Sequence, residues 1–428
     1  MSWKKVKLGD LCSIEKGKTG IQKAIPGEYS LVVTAEDRKS HNEYQFDNEA
    51  VIIPLVSGTG HGHASIKRLH FQTGKFALGS ILCAVIPKDK SILNAEYLFR
   101  FLNLNKEREL VDRMKGMANV TLPIKEIAKI EIPLPTLVAQ IEFVKKYSLL
   151  EADSEDISSE LEYQLDLIKQ MRQAFLREAM QGILVLNNEQ TITSVESRKR
   201  LIDKIEEEKG KKNVNKKSSD GLISILENDI PFDIPGHWVW TKIGDITNHN
   251  SGKTLDGGRN KGNKKDYITT SNLYWGYFKL EKLKQILIED HELEKCTAKK
   301  GDLLVCEGGE AGRAAIWQED YEICFQNHIH RIRPYSFVNS NFLFYFFNHL
   351  NLSGQINLYR KGMGISNISS KSLSSIKIPL PPLHEQEQIV AKLEELMTFC
   401  DELEQSIKES QGYNEKLLQQ VLREALQG

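Results

Sequence analysis

Apolar side chains recur at Leu150, Ile157, Leu161, Ile168, Met171 and Phe175 with spacings of three, four and seven, and a second copy of the stripe runs through Leu396, Cys400, Leu403, Ile407, Leu417 and Val421. That period lays one apolar stripe along a helix and matches the seam of a coiled coil. Proline cannot occupy a helix interior, so Pro133, Pro135, Pro379, Pro381 and Pro382 force both helices to begin after them, near Val138 and His384. The pattern predicts rods over 136–182 and 382–428, in each of which about 40 residues at roughly 1.5 Å per residue make about 60 Å of helix. A stripe this narrow forms no core of its own. Either the two stripes bury against each other as an antiparallel coiled coil, or each packs on its neighbouring globule. Gly412, where the first copy has Asp166, costs its helix about 1 kcal/mol relative to alanine and marks a bend.

The rods are the ends of a larger internal repeat, which dictates architecture before any motif does. Trp3, Leu8, Gly9, Asp10, Gly17, Lys18 and Thr19 return without a gap as Trp238, Ile243, Gly244, Asp245, Gly252, Lys253 and Thr254. Farther on, Lys115-Gly116-Met117 returns as Lys361-Gly362-Met363, and IPLPTLVAQ from Ile132 as IPLPPLHEQ from Ile378. Residues 132–182 and 378–428 align ungapped with about 16 identities, ending in LREAMQG and LREALQG. The order is therefore a globule (1–135), a helix (136–182), a linker (183–231), a second globule (232–381) and a second helix (382–428). The linker carries a short amphipathic helical stretch, SRKRLIDKIEEEKG, and then polar KKNVNKKSSDG, expected to be partly flexible. Inside the shared frame the globules diverge. AVIIPLVSGTGHGHASI (50–66) stands against DLLVCEGGEAGRAAI (302–316), as in two readers of different targets.

Charge alters the picture only locally. The chain has 57 basic and 58 acidic side chains, so no global excess draws in a polyanion and any nucleic-acid surface must come from clustering. Such a cluster lies between Ser251 and Lys284, where eight basic residues outnumber three acidic ones and Tyr267, Tyr274, Trp275 and Tyr277 are interleaved. Arg259, Lys261, Lys264 and Lys265 would neutralise phosphates there; the alternative is a solvated loop. The six cysteines contain no CxxC pair and offer no zinc spacing. No apolar signal region or membrane-length stretch stands out, so a cytoplasmic place is expected.

Motifs for chemistry fail on their spacing. SGKT (251–254) resembles the end of a phosphate-binding loop, but that loop needs a glycine where Thr247 stands, and the first copy fails likewise at Cys12. Lys18, Thr19, Lys253 and Thr254 are read as surface turns or phosphate contacts. His61-x-His63 and His328-x-His330 lack a third ligand at metal spacing. The glycine-rich tracts let backbone approach a duplex, and Ser57, His61 and His63 in one copy, with Glu307, Glu310 and Arg313 in the other, are candidate contacts. Arginine can pair with guanine O6 and N7, glutamate can accept from cytosine N4, and Asn327 beside His328 suits adenine. Lys115, Asn119, Lys361, Asn367 and Tyr274 complete the set, each with a loop or core residue as the alternative. No methyltransferase tetrad, cofactor glycine motif, zinc helix or nuclease core is present, so no catalytic, cofactor-binding or metal-binding residue is assigned.

The paired WKKVKLGDL and WVWTKIGDI starts, the IPLP tracts leading into helices and the LREA(M/L)QG ends, taken in this order and duplicated, resemble the specificity subunits of type I restriction-modification systems over nearly the whole chain. The resemblance implies tandem α/β (α+β) target-recognition domains, each followed by a long helix, the helices paired antiparallel in a pseudo-twofold, two-lobed molecule. It implies double-stranded DNA as ligand, two methylation subunits and restriction (motor) subunits as partners, and no catalysis by this chain. S-adenosylmethionine, ATP and magnesium would belong to the partners. The other readings are a coiled-coil adaptor without sequence-selective DNA binding, and a self-contained nuclease or methyltransferase.

Overall fold

The structure, a computed structural model, describes residues 3–58, 63–117, 119–185, 193–213, 230–256, 258, 260–362 and 367–427. The chain divides into two compact units, one of residues 1–163 with 407–428 and the other of residues 164–406. Each unit thus takes a globule, the start of one long helix and the end of the other.

The internal repeat is a repeat of topology. In the first unit Cys12–Lys16, Leu82–Pro87, Ala50–Pro54 and His70–Gln72 form an antiparallel sheet in that order. In the second, Thr247–Ser251, Ile329–Pro334, Leu303–Cys306 and Ala314–Ile316 do the same. A second, mixed sheet accompanies each. Lys39–His41, Tyr29–Val32, Lys75–Leu78 and Phe46–Asp47 correspond to Lys284–Ile288, Asn263–Ile268, Ile323–Phe325 and Thr297–Ala298, with the middle pair parallel in both. The inner strands Ala50–Pro54 and Leu82–Pro87 are buried throughout, as are Leu303–Cys306 and Ile323–Phe325. Sheets covered on both faces require such continuous apolar runs. A short ribbon closes each globule: Lys5–Lys7 pairs with Glu131–Pro133, and Val239–Lys242 with Lys377–Leu380. The repeated IPLP tracts are therefore strand ends that hand the chain to the long helices.

Those helices span Leu137–Met180 and Leu383–Gln427. Gly182, at φ +73°, ends the first in a left-handed turn that bonds Ile183 N–H to Glu178 O at 2.9 Å. Their starts are fixed by one device used twice. Gln140, fully buried, accepts from Asn94 N–H at 2.8 Å and donates to Ile92 O and Pro135 O at 2.9 Å each. Gln386, also fully buried, accepts from Asn339 N–H at 2.7 Å and donates to Phe337 O at 3.1 Å and Pro381 O at 2.8 Å. Asn94 and Asn339 cap the helices Ala95–Leu104 and Ser340–Leu352. Each glutamine thereby ties a long helix to the capped helix of its own globule.

Part of the stripe packs into the core of each unit. Phe143 and Tyr147 lie in the first globule's core, with Leu150 and Leu418 packed against it. Ile389, Val390 and Leu393 lie in the core of the second, with Leu176, Ala179 and Met180, and Phe175 packs against that core. Ile168 is buried; Leu161, Leu396, Leu403, Ile407 and Val421 are half-buried. Two expected seam positions are off the stripe: Ile157 is 49% exposed and Leu417 63%. Their neighbours take the inward face, Leu418 in one helix and the small polar Ser154 and Ser158 in the other. Asn414 Nδ2 donates to Ser154 O at 2.9 Å and to Ser158 Oγ at 3.1 Å. In the second unit Arg172 reaches Glu404 at 2.7 Å and Asp401 at 2.5 Å. Gly412 lies within an unbroken helix, with open space where a Cβ would stand.

The linker's helix runs Thr193–Asn213 and packs Leu201 and Ile205 into the second unit's core, with Lys209 paired to Asp245 at 3.1 Å. The stretch 214–229 lies outside the described residues. No described helix is long and apolar enough to cross a membrane.

One core residue is expected to make the second unit acid-sensitive. His349 is 5% exposed, its Nε2 has no hydrogen-bond partner, and burial, aided by Arg177, lowers its pKa from 6.5 to about 4. The unfolded chain then takes up this proton before the native state does, so the stability tied to His349 is complete above pH 6.5 and falls as pH drops from there through about 4. His349→Leu is expected to flatten that fall in urea unfolding midpoints measured between pH 7 and 4. An unchanged slope would refute the assignment.

Candidate nucleic-acid interface

Because the antiparallel sheet alternates strand direction, the loops after Thr247–Ser251 and Leu303–Cys306 and before Ala314–Ile316 and Ile329–Pro334 meet at one end. Backbone bonds weave them together. Asn327 N–H donates to Lys253 O at 2.9 Å, Glu307 N–H to His328 O at 2.9 Å, and Ile368 N–H to Glu307 O at 2.8 Å. Asn367 bridges both Gly308 and Lys361. Residues chosen from four distant tracts of sequence, Lys253, Glu307, Asn327, His328, Lys361 and Asn367, thus share one end of the second globule.

The same end of the first globule gathers its equivalents. Thr19 bridges Gly79, Ser80 N–H donates to Thr19 O at 2.9 Å, and Ser57 N–H donates to Val120 O at 3.0 Å. Lys115 pairs in backbone with Thr121 in both directions at 2.8 Å, and Ser57 Oγ donates to His63 O at 2.5 Å. Lys18, Lys115 and Asn119 are exposed there. His61 and Arg259, both candidates, lie outside the described residues.

Side-chain surroundings sort the candidates. The GKT turns exist for packing: a Cβ on Gly17 would stand 2.2 Å from Gly79 O, and one on Gly252 2.2 Å from Phe325 O. Only glycine lets these strands approach so closely. Lys253 is not free for a phosphate, because its ammonium is largely buried against the Glu292 carboxylate. That pairing holds Glu292 below the usual carboxylate range. Lys115 bonds Glu126 at 3.0 Å but keeps 64% of its side chain exposed. Lys264 and Lys265 lie partway along Asn263–Ile268, opposite Leu287 and Ile286, and not on the gathered loops. Tyr267 is core. Thr254 and Lys261 are exposed. Strand alternation splits the two histidines of QNHIH (326–330): His328 is outside, 3.9 Å from Glu307, whereas His330 is 1% exposed and bonds Ile368 O at 2.9 Å. No group of side chains suited to a metal ion occurs among the described residues.

The most organised cluster of the second globule surrounds Glu310 and Arg313. Trp275 Nε1 donates to Glu310 at 2.7 Å, and Arg313 donates to Glu310 at 3.2 Å and to Thr270 O at 2.6 Å. The Arg313 guanidinium lies 5.4 Å and the Lys279 ammonium 4.5 Å from the Tyr274 ring, which stacks on Tyr277 at 5.1 Å. In the first globule, sequence reasoning missed Arg38, Arg68 and His70. They lie outside the repeated motifs, and only strand register, with His70–Gln72 standing where Ala314–Ile316 stands, locates them.

Comparison with known proteins agrees with this duplication. Residues 1–165 and 235–410 match the family described as "Type I restriction modification DNA specificity domain". The chain is similar to the type I restriction enzyme EcoDI specificity subunit of Escherichia coli, 23% identical over all of this chain and 88% of that protein. It is also similar to the StySPI specificity subunit of Salmonella potsdam, 23% identical over 89% of this chain and 74% of that protein. Among solved structures, a chain from a study of the type I R-M system superposes with a TM-score of 0.60 at 15% identity, covering 100% of this chain and 98% of its own. The HsdS subunit from Thermoanaerobacter tengcongensis gives 0.55 at 16%, covering 100% and 97%. With two matched segments that coincide with two copies of one sheet topology, the chain belongs to the type I restriction-modification DNA specificity family.

Proposed function

We propose that this chain is the sequence-reading, non-catalytic subunit of a type I restriction-modification complex, in which each globule reads one half of an interrupted, asymmetric duplex site. The carrying observation is that two copies of one pair of sheets gather exposed polar loops at the same end, while the side chains on those loops differ. A shared frame with different contacts reads two different half-sites. The long helices act as an antiparallel coiled-coil spacer, a reading supported by the Asn414 bonds to Ser154 and Ser158 of the first helix and the Arg172 bonds to the second. They also serve as the docking surface for two methylation subunits and, through them, the restriction subunits. S-adenosylmethionine, ATP and magnesium are held by those partners, in the cytoplasm.

A spacer sets the unread gap. Deleting one heptad from each helix removes about 10 Å of rod, equivalent to about three base pairs at roughly 34 Å per turn. With methylation subunits present, the methylated motif is expected to keep both half-sites and lose about three base pairs between them. A gap of unchanged length would contradict the spacer role.

A further inference from the structure

Both globules place an arginine–glutamate pair at one equivalent position but hold it differently, and that difference assigns a reading residue to each. In both, the loop leaving the central strand of the mixed sheet meets the start of the edge strand of the other sheet. In the first, Arg68 pairs with Glu36 at 2.6 Å and keeps 38% of its side chain exposed. Behind it Arg38 donates to Glu36 O at 3.1 Å and to Gln72 Oε1 at 3.3 Å, and stands 3.0 Å from His70 Nδ1. His70 is 6% exposed and its Nε2 has no hydrogen-bond partner. Burial and the charge of Arg68 both lower the Arg38 pKa, and the Glu36 carboxylate that pairs with Arg68 is itself 82% exposed. In the second globule the carboxylate is the fixed group: Glu310, 47% exposed, is aimed by Trp275 Nε1 and by Arg313, whose own side chain is only 18% exposed against 38% for Arg68.

Resting on the proposed role in DNA reading, we infer that this position is the main specificity determinant of each globule, donor-type in the first and acceptor-type in the second. Arg68 donates to the O6 and N7 of a guanine, with Arg38 as its positioning residue. Glu310 accepts from an exocyclic amino group, cytosine N4 or adenine N6, with Arg313 and Trp275 holding it. A donor fork suits the two acceptors of guanine, and a fixed carboxylate suits only bases that present an amino donor in the major groove.

The test maps N6-methyladenine in cells making the full chain with its methylation subunits, as wild type, Arg68→Ala, Arg68→Lys, Glu310→Gln and Arg38→Gln. Arg68→Ala and Arg68→Lys are expected to cut the preference for one guanine in one half-site about tenfold, lysine lacking the bidentate fork. The other half-site stays intact. Glu310→Gln relaxes one base in that other half-site alone, and Arg38→Gln repeats the Arg68 pattern more weakly. Uniform loss at every site, with preference unchanged, in the Arg68 or Glu310 variants would show a phosphate contact or a folding defect and overturn the assignment. A wild type without any split motif would instead overturn the functional reading beneath it.

Discussion

Gln386→Leu is expected to destabilise the second unit by about 3–5 kcal/mol, since it strips hydrogen bonds from one buried donor and two buried acceptors at once. The amide accepts from Asn339 N–H and donates to Phe337 O and Pro381 O, with no exposure to water. Leucine fills much the same space, so the loss comes from the polar groups left without partners and not from a cavity. The neighbouring Gln388 is exposed, and Gln388→Leu should fall within about 0.5 kcal/mol of wild type. Gln140→Leu should act on the first unit as Gln386→Leu acts on the second, because it breaks the equivalent three bonds. Calorimetry of the full chain separates the two. A Gln386→Leu melt that matches Gln388→Leu would mean that the clamp does not hold the helix start.

These glutamines also show what the sequence revealed and what it withheld. Their place in VAQ and HEQ after the paired IPLP tracts made the duplication plain, and proline placed both helix starts within a residue of those observed. The reason for the glutamine was hidden, because its three partners come from segments about 5 and 46–49 residues away. The stripe was misread at Ile157 and Leu417, where polar Ser154, Ser158 and Asn414 take inward positions that an apolar pattern cannot mark. Lys253 looked like an anion contact because GKT suggested one, and the pairing with Glu292 was invisible until the helix Asp290–Cys296 was placed beside it. Arg38, Arg68 and His70 carry no motif. Contacts that differ between the two globules lie where the repeat is weakest, so the pattern that reveals the fold is silent on the side chains that distinguish them.

If this chain alone sets which DNA sequence is modified, its removal has an all-or-none effect. N6-methyladenine should be mapped by long-read sequencing in cells expressing methylation and restriction subunits with the intact chain, without it, and with residues 1–135 replaced by the corresponding globule of a relative. The prediction is a split, asymmetric motif that disappears without the chain and changes in one half only after the exchange. Methylation that persists unchanged without the chain would contradict the account and leave a coiled-coil adaptor in its place.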